Sequence, residues 1–177
     1  LVAWEQHMTG KRVSLVLGSG GARGLAHIGV IRYLEEQGYR IDSISGSSMG
    51  ALIGGIYATG KLEVYAEWVS ALEKIDILRL LDISFSDGGF LRGDKVIRAL
   101  RELIGDHQIE DLPISYTAVA SDLKRQREVW LKAGSLFDAI RASIAIPTLF
   151  TPVRHEGRLL VDGGLVNPLP VSVARQL

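Results

Sequence analysis

Ile41-Asp42-Ser43-Ile44-Ser45-Gly46-Ser47-Ser48-Met49-Gly50-Ala51-Leu52-Ile53-Gly54-Gly55-Ile56-Tyr57 passes from a short apolar strand into a small-residue helix through a G-x-S-x-G turn. A strand that turns sharply into a helix presents the hydroxyl of the middle residue at the sheet's edge. That hydroxyl lies over a helix N-terminus, which favours developing negative charge. Ser48 is therefore the candidate nucleophile, with Gly46 and Gly50 framing its elbow. On its own the motif has a second reading, in which small residues only let a helix pack close to a sheet, so the rest of the chain has to decide.

Upstream, residues 13–17 form a short buried-strand run, and residues 25–36 carry apolar side chains at 25, 28, 31 and 34, the helical period. Downstream, the helix from 49 to 59 ends at Gly60, which serves as its C-cap. Residues 62–81 read as a long amphipathic helix with Trp68, Leu72, Ile75 and Leu78 near one face. Residues 82–93, with Phe85 and Phe90 among turn formers, read as a lid or a linker before a helix over 94–104. Strands at 116–120, 128–131 and 159–161 and a helix at 136–143 complete an alternation of strands and helices that argues for an α/β fold.

Gly18-Ser19-Gly20-Gly21-Ala22-Arg23-Gly24 joins the first strand to the first helix and can point successive backbone N–H groups at an anion, either a phosphate or an oxyanion. As a dinucleotide fingerprint it fails, because counting G-x-G-x-x-G from Gly18 places Arg23 where the third glycine belongs. Asp162-Gly163-Gly164 follows the last strand, where open α/β sheets build sites, although an aspartate and two glycines also make an ordinary turn. The histidines are His7, His27, His107 and His155. None follows Asp162, so the Ser, Asp, His order of the α/β-hydrolases is missing, and His155 in Arg154-His155-Glu156-Gly157 reads as a solvated loop residue.

The 177 residues suit one domain with a sizeable core, expected over 13–177 after an N-terminal extension or linker at 1–12. Twenty basic residues balance 20 acidic ones, which leaves no basic field to hold nucleic acid. With no cysteine there is no disulfide, thiolate metal site or thiol nucleophile. No apolar run approaches the roughly 20 residues of a membrane span, and the N-terminus lacks the basic-then-apolar order of a signal peptide. The first residue is not methionine and residues 170–177 read as a helix cut in its second turn, so a piece of a longer protein, incomplete at its C-terminus, is expected.

Four ordered blocks resemble the patatin-like phospholipases, and among them the bacterial members related to neuropathy target esterase: Gly20 to Gly24, Gly46 to Gly50, Arg141-Ala142-Ser143-Ile144-Ala145-Ile146-Pro147, and Asp162-Gly163-Gly164-Leu165-Val166-Asn167-Pro168. The resemblance implies a three-layer αβα sandwich around a mostly parallel sheet. It implies Ser48 as nucleophile and Asp162 as its only base, a dyad without histidine. Gly20, Gly21 and neighbouring N–H groups of the loop through Ala22 and Gly24 would form the oxyanion hole, and Arg23 would brace it. The substrate it points to is a lysophospholipid or phospholipid acyl ester, cleaved without metal or other cofactor by a cytoplasmic protein that touches membranes at most peripherally. Ser19 departs from the family pattern, which usually has glycine there. Phe85, Phe90, Leu91, Leu149 and Phe150 are candidates for an acyl channel or a lipid-touching surface, although such residues are more often core. Two rival readings are an idle regulatory or interaction module on the same fold and a nucleotide-binding domain using the first glycine turn, which leaves Ser48 and Asp162 unexplained.

Overall fold

A computed structural model of the chain describes residues 11–72, 93–147 and 149–176. β1 (Lys11–Leu17) leads through a 3₁₀ turn (Gly21–Leu25) into α1 (Ala26–Glu36), β2 (Tyr39–Ser47), α2 (Met49–Ala58) and α3 (Leu62–Ala71). There follow α4 (Asp94–Ile104), β3 (Ser115–Asp122), β4 (Arg127–Leu131), α5 (Leu136–Ser143), β5 (Val153–His155), β6 (Arg158–Asp162) and the short α6 (Val171–Ala174). β1, β2 and β3 pair in parallel, while β4 and β6 run antiparallel to β3 and β5 antiparallel to β6. The open sheet between helical layers is the α/β architecture expected from the sequence.

Alternate side chains of β2 face opposite layers, and their sizes match what covers them. Ile44 and Gly46 face α2, so closely that a Cβ on Gly54 would lie 2.6 Å from Ile44 Cγ2 and one on Gly46 2.6 Å from Ala51 Cα. Ser43 and Ser45 face the other layer, where Ser45 Oγ donates to the Pro170 carbonyl just before α6. α2 is buried from Gly50 to Ile56 and again at Ala58, which is why its sequence is small and apolar rather than amphipathic. Leu17, Ile31, Ile44, Ile53, Ile56, Leu136, Phe137 and Ile140 are all at most 2% exposed and make the core around it.

Two expectations differ from the structure. The helix starting at Leu62 ends at Ala71, because Leu72 takes extended angles (φ −69°, ψ 127°) rather than continuing toward 81. Ile75, Leu78, Phe85, Phe90 and Leu91 lie outside the described residues. The turn around Glu156 is the tip of a hairpin whose first strand, β5, is only three residues long. Glu156 (φ 46°) and Gly157 (φ 73°) supply the two positive φ angles that a tight two-residue hairpin loop requires. Among the described residues no helix is long and apolar enough to cross a membrane.

The strand pairings explain how distant parts of the chain meet. Ala118 and Val119 pair with both β2 and β4, so those two strands lie on opposite edges of β3. Ala120, Ser121 and Asp122 pair with both β4 and β6, so β6 also lies opposite β4. β2 and β6 therefore share one edge of β3 and approach each other end to end. β2 runs up that edge until Ser47 faces Val119, and β6 runs down it until Asp162 faces Ala120. Each chain turns away where the other begins, at Ser48 and at Gly163.

Gly50 tolerates no side chain in this geometry. A Cβ there would stand 2.1 Å from the Leu17 carbonyl oxygen and 2.7 Å from that of Gly18, both backbone atoms that cannot swing aside. Gly50→Ala should cost about 3 kcal/mol by overpacking, on the order of 10 °C in melting temperature for a chain of this size. Gly29→Ala, where nothing lies within 4 Å, should instead stabilise α1 by roughly 0.5–1 kcal/mol. Thermal unfolding of both variants checks the pair, and a Gly50→Ala protein as stable as the parent would contradict the packing.

Candidate active site

Ser48 occupies the junction between β2 and α2 with φ 55° and ψ −123°, a conformation that costs a non-glycine residue about 1–3 kcal/mol. The strain sets the side chain apart from both the strand and the helix. Its Oγ donates to Asp162 Oδ2 at 2.5 Å, while Asp162 Oδ1 accepts from the Gly164 N–H at 2.7 Å. Both residues are 5% exposed. Burial pushes the Asp162 carboxyl above the ordinary aspartate range, partly offset by the Ser48 hydroxyl and the Gly164 N–H, which stabilise the charged form. A carboxylate is thereby held against a strained serine hydroxyl in a setting that makes it a better proton acceptor than a solvated aspartate.

The glycine turn wraps the same corner. Ser19 N–H donates to the Pro168 carbonyl at 2.8 Å, which ties the loop to the segment following Asp162. A Cβ on Gly24 would lie 2.3 Å from Met49 Cγ, so the loop rests directly on the residue after the serine. Gly21 has φ 52° and open space around it, so glycine is needed there for its backbone angle rather than for room. The first hydrogen bond of the 3₁₀ turn is donated by Arg23 N–H to the Gly20 carbonyl. The N–H groups ahead of it, on Gly20, Gly21 and Ala22, precede that bond and have no partner within the turn. The side chain of Arg23 is exposed, and its main chain ties it into the loop, the N–H donating to the Gly20 carbonyl and the carbonyl accepting from Ala26 N–H.

His27 supplies a brace that sequence reading missed, since nothing local marks it. Its Nε2 lies 2.8 Å from the Gly18 carbonyl, a bond that fixes the proton on Nε2. Ser143 also went unassigned. Its Oγ accepts from Ser48 N–H at 2.9 Å. Asn167 Nδ2 donates to Glu128 Oε2 at 2.5 Å and holds the loop after Asp162 to β4.

The remaining candidates sit elsewhere. His155 faces Arg158 at the far end of β6, four residues of strand from Asp162, which is about 13 Å at ordinary strand rise. Phe150 is 7% exposed and packs in the core with its ring 5.8 Å from the Arg141 guanidinium, whereas Leu149 is exposed. His107 hydrogen-bonds the Ile104 carbonyl at the end of α4. Among the described residues no three His, Asp or Glu side chains gather in a metal-binding group.

Comparison with known proteins bears on the family and the fold. The patatin-like phospholipase family model matches residues 15–175. An uncharacterised NTE family protein of Mycobacterium bovis is 55% identical over 161 residues, covering 91% of this chain and 45% of its own length. The chain thus spans about half of that relative. Lysophospholipase nte1 of Emericella nidulans is 33% identical over 97% of this chain and 12% of itself. Human patatin-like phospholipase domain-containing protein 6 is 34% identical over 96% of this chain and 13% of itself. Among solved structures, VipD from Legionella pneumophila superposes with a TM-score of 0.68 at 19% identity, over 90% of this chain and 47% of that one, a likeness of fold.

Proposed function

The chain belongs to the patatin-like phospholipase family, and on that footing we propose that it is a serine hydrolase cleaving lysophospholipid or phospholipid carboxylic esters through a Ser48–Asp162 dyad. The observation that carries the proposal is the 2.5 Å hydrogen bond from the strained elbow serine to a buried carboxylate. The name of the fungal relative supports the lysophospholipid class.

In the first half-reaction Ser48 Oγ attacks the ester carbonyl carbon and its proton passes to Asp162 Oδ2. The tetrahedral oxyanion is received by the Gly20 and Gly21 N–H groups, with neighbouring N–H groups of the loop. Collapse breaks the carbon–oxygen bond to the alcohol, which leaves with the proton from Asp162. Water then gives its proton to Asp162, attacks the acyl carbon, and releases the fatty acid with Ser48 reprotonated. An aspartate is a weak base for a hydroxyl. The gap narrows because burial raises Asp162 and because the donors act only as charge develops, each worth roughly 3 kcal/mol.

An organophosphonate probe followed by peptide mass mapping tests the proposal, which requires a single adduct on Ser48. The role of the loop has its own test. Gly21→Ala forces an L side chain to φ 52° and should shift the donors, so kcat should fall on the order of 10²-fold with little change in KM. Stoichiometric calorimetric binding of NADP or ATP would instead favour a phosphate cradle.

A further inference from the structure

Resting on the dyad reading, we infer that Ser143 and the Ala145 carbonyl form a clamp that sets the spacing of Ser48 and Asp162, with Ser143 a positioning residue. The segment 141–147 stood out in the sequence without any role in the chemistry. Its place is the junction where β2 and β6 meet on the edge of β3. There the ladder is interrupted, since the pairing passes from Ser47–Val119 to Asp162–Ala120. Two backbone groups lose their rung: the Val119 carbonyl and the N–H of Ser48, which has turned out of the strand.

A single hydroxyl takes both. Ser143 Oγ, at the end of α5 and fully buried, donates to the Val119 carbonyl at 2.6 Å and accepts from the Ser48 N–H at 2.9 Å. A hydroxyl has one proton to give and lone pairs to receive, so both demands fit one oxygen. Two residues on, the Ala145 carbonyl accepts from the Asp162 N–H at 2.9 Å. One short segment therefore holds the main chain of both reacting residues, and the bond between their side chains depends on it. The segment is itself anchored, because buried Arg141 donates to the Thr151 carbonyl at 3.1 Å and hydroxyl at 3.0 Å. Gly163 closes the junction from the other side, where a Cβ would come within 2.0 Å of the Val119 carbonyl oxygen.

Ser143 has no exposed surface and cannot touch substrate, so its loss should act on kcat and not on KM. A displacement of the nucleophile of about 1 Å costs on the order of 10²-fold in rate. The full 177-residue chain is assayed with a short p-nitrophenyl ester, and the rate of organophosphonate labelling at Ser48 is measured alongside circular dichroism. Ser143→Ala should lower kcat and the labelling rate together by roughly 10²-fold with KM within about threefold. Ser143→Thr, which keeps the hydroxyl, should return turnover to within about tenfold of the parent. Should the alanine variant not fold, Ser143→Cys keeps the volume with a weak donor and should lose at least about tenfold in kcat. Should neither fold, the threonine variant decides by the same tenfold mark. A folded Ser143→Ala or Ser143→Cys with near-parental kcat, an effect confined to KM, or a threonine variant no better than alanine would overturn the clamp. Ser48→Ala in the same assay separates the two readings. If it stays active the dyad falls and the clamp with it, whereas an inactive Ser48→Ala beside a fully active Ser143→Ala removes the clamp alone.

Discussion

Ser48→Ala is expected to reduce ester hydrolysis on the order of 10⁴-fold or more and to abolish organophosphonate labelling while leaving the fold in place. The size follows from the proposed role, in which this hydroxyl, held against the Asp162 carboxylate, is the attacking group. Ser47 and Ser143 are both fully buried, so neither meets a probe in the folded protein. The substitution removes one oxygen and keeps the backbone with its φ of 55°. Asp162 then loses a donor that stabilises its charge and should become harder to ionise, while its bond to Gly164 N–H remains. Circular dichroism and a melting curve on the variant show that inactivity is chemical and not a consequence of unfolding. Labelling that persists on another serine, or turnover within a few-fold of the parent, would remove Ser48 from the mechanism.

The serine and the glycine loop were legible in the sequence because their chemistry is local. A strand, a G-x-S-x-G turn and a small-residue helix are consecutive, and the helix proves small because α2 is buried nearly all round. Asp162 was different. It lies 114 positions from Ser48, and its pairing came from a family resemblance, not from any periodicity. What brings the two together is that β2 and β6 share one edge of β3, a relation that no local pattern encodes. The same reason hid Ser143, which completes an interruption in the sheet that becomes visible only when both strands are in place. β5 was missed because three residues ending in a charged tight turn carry too little alternation to read as a strand. The early end of α3 has no glycine or proline to announce it, only the extended angles of Leu72.

Asp162→Asn should remove nearly all turnover, whereas His155→Gln should retain most of it, since the histidine stands a strand's length away. Asparagine can keep a donor–acceptor pairing with Ser48 and Gly164 but cannot take a proton, so the comparison isolates basicity. The pH profile carries a second mark. The base works only when ionised, so kcat should fall as pH drops through the Asp162 pKa, and burial places that limb above the range of an ordinary aspartate. The sign for stability is opposite. A carboxyl whose folded-state pKa is raised binds its proton more tightly in the folded than in the unfolded chain. Its contribution is thus fully present below the unfolded value of about 3.9 and is lost as pH rises through the folded-state value. At neutral pH the ionised form therefore opposes folding, and Asp162→Asn should melt at the same temperature as the parent or higher while being inactive. At low pH, where both forms are neutral, the difference should shrink. A stabilised, inactive Asp162→Asn marks a carboxylate kept for chemistry at the expense of the fold. An active Asp162→Asn beside a folded but inactive His155→Gln would replace the dyad with a histidine-based mechanism.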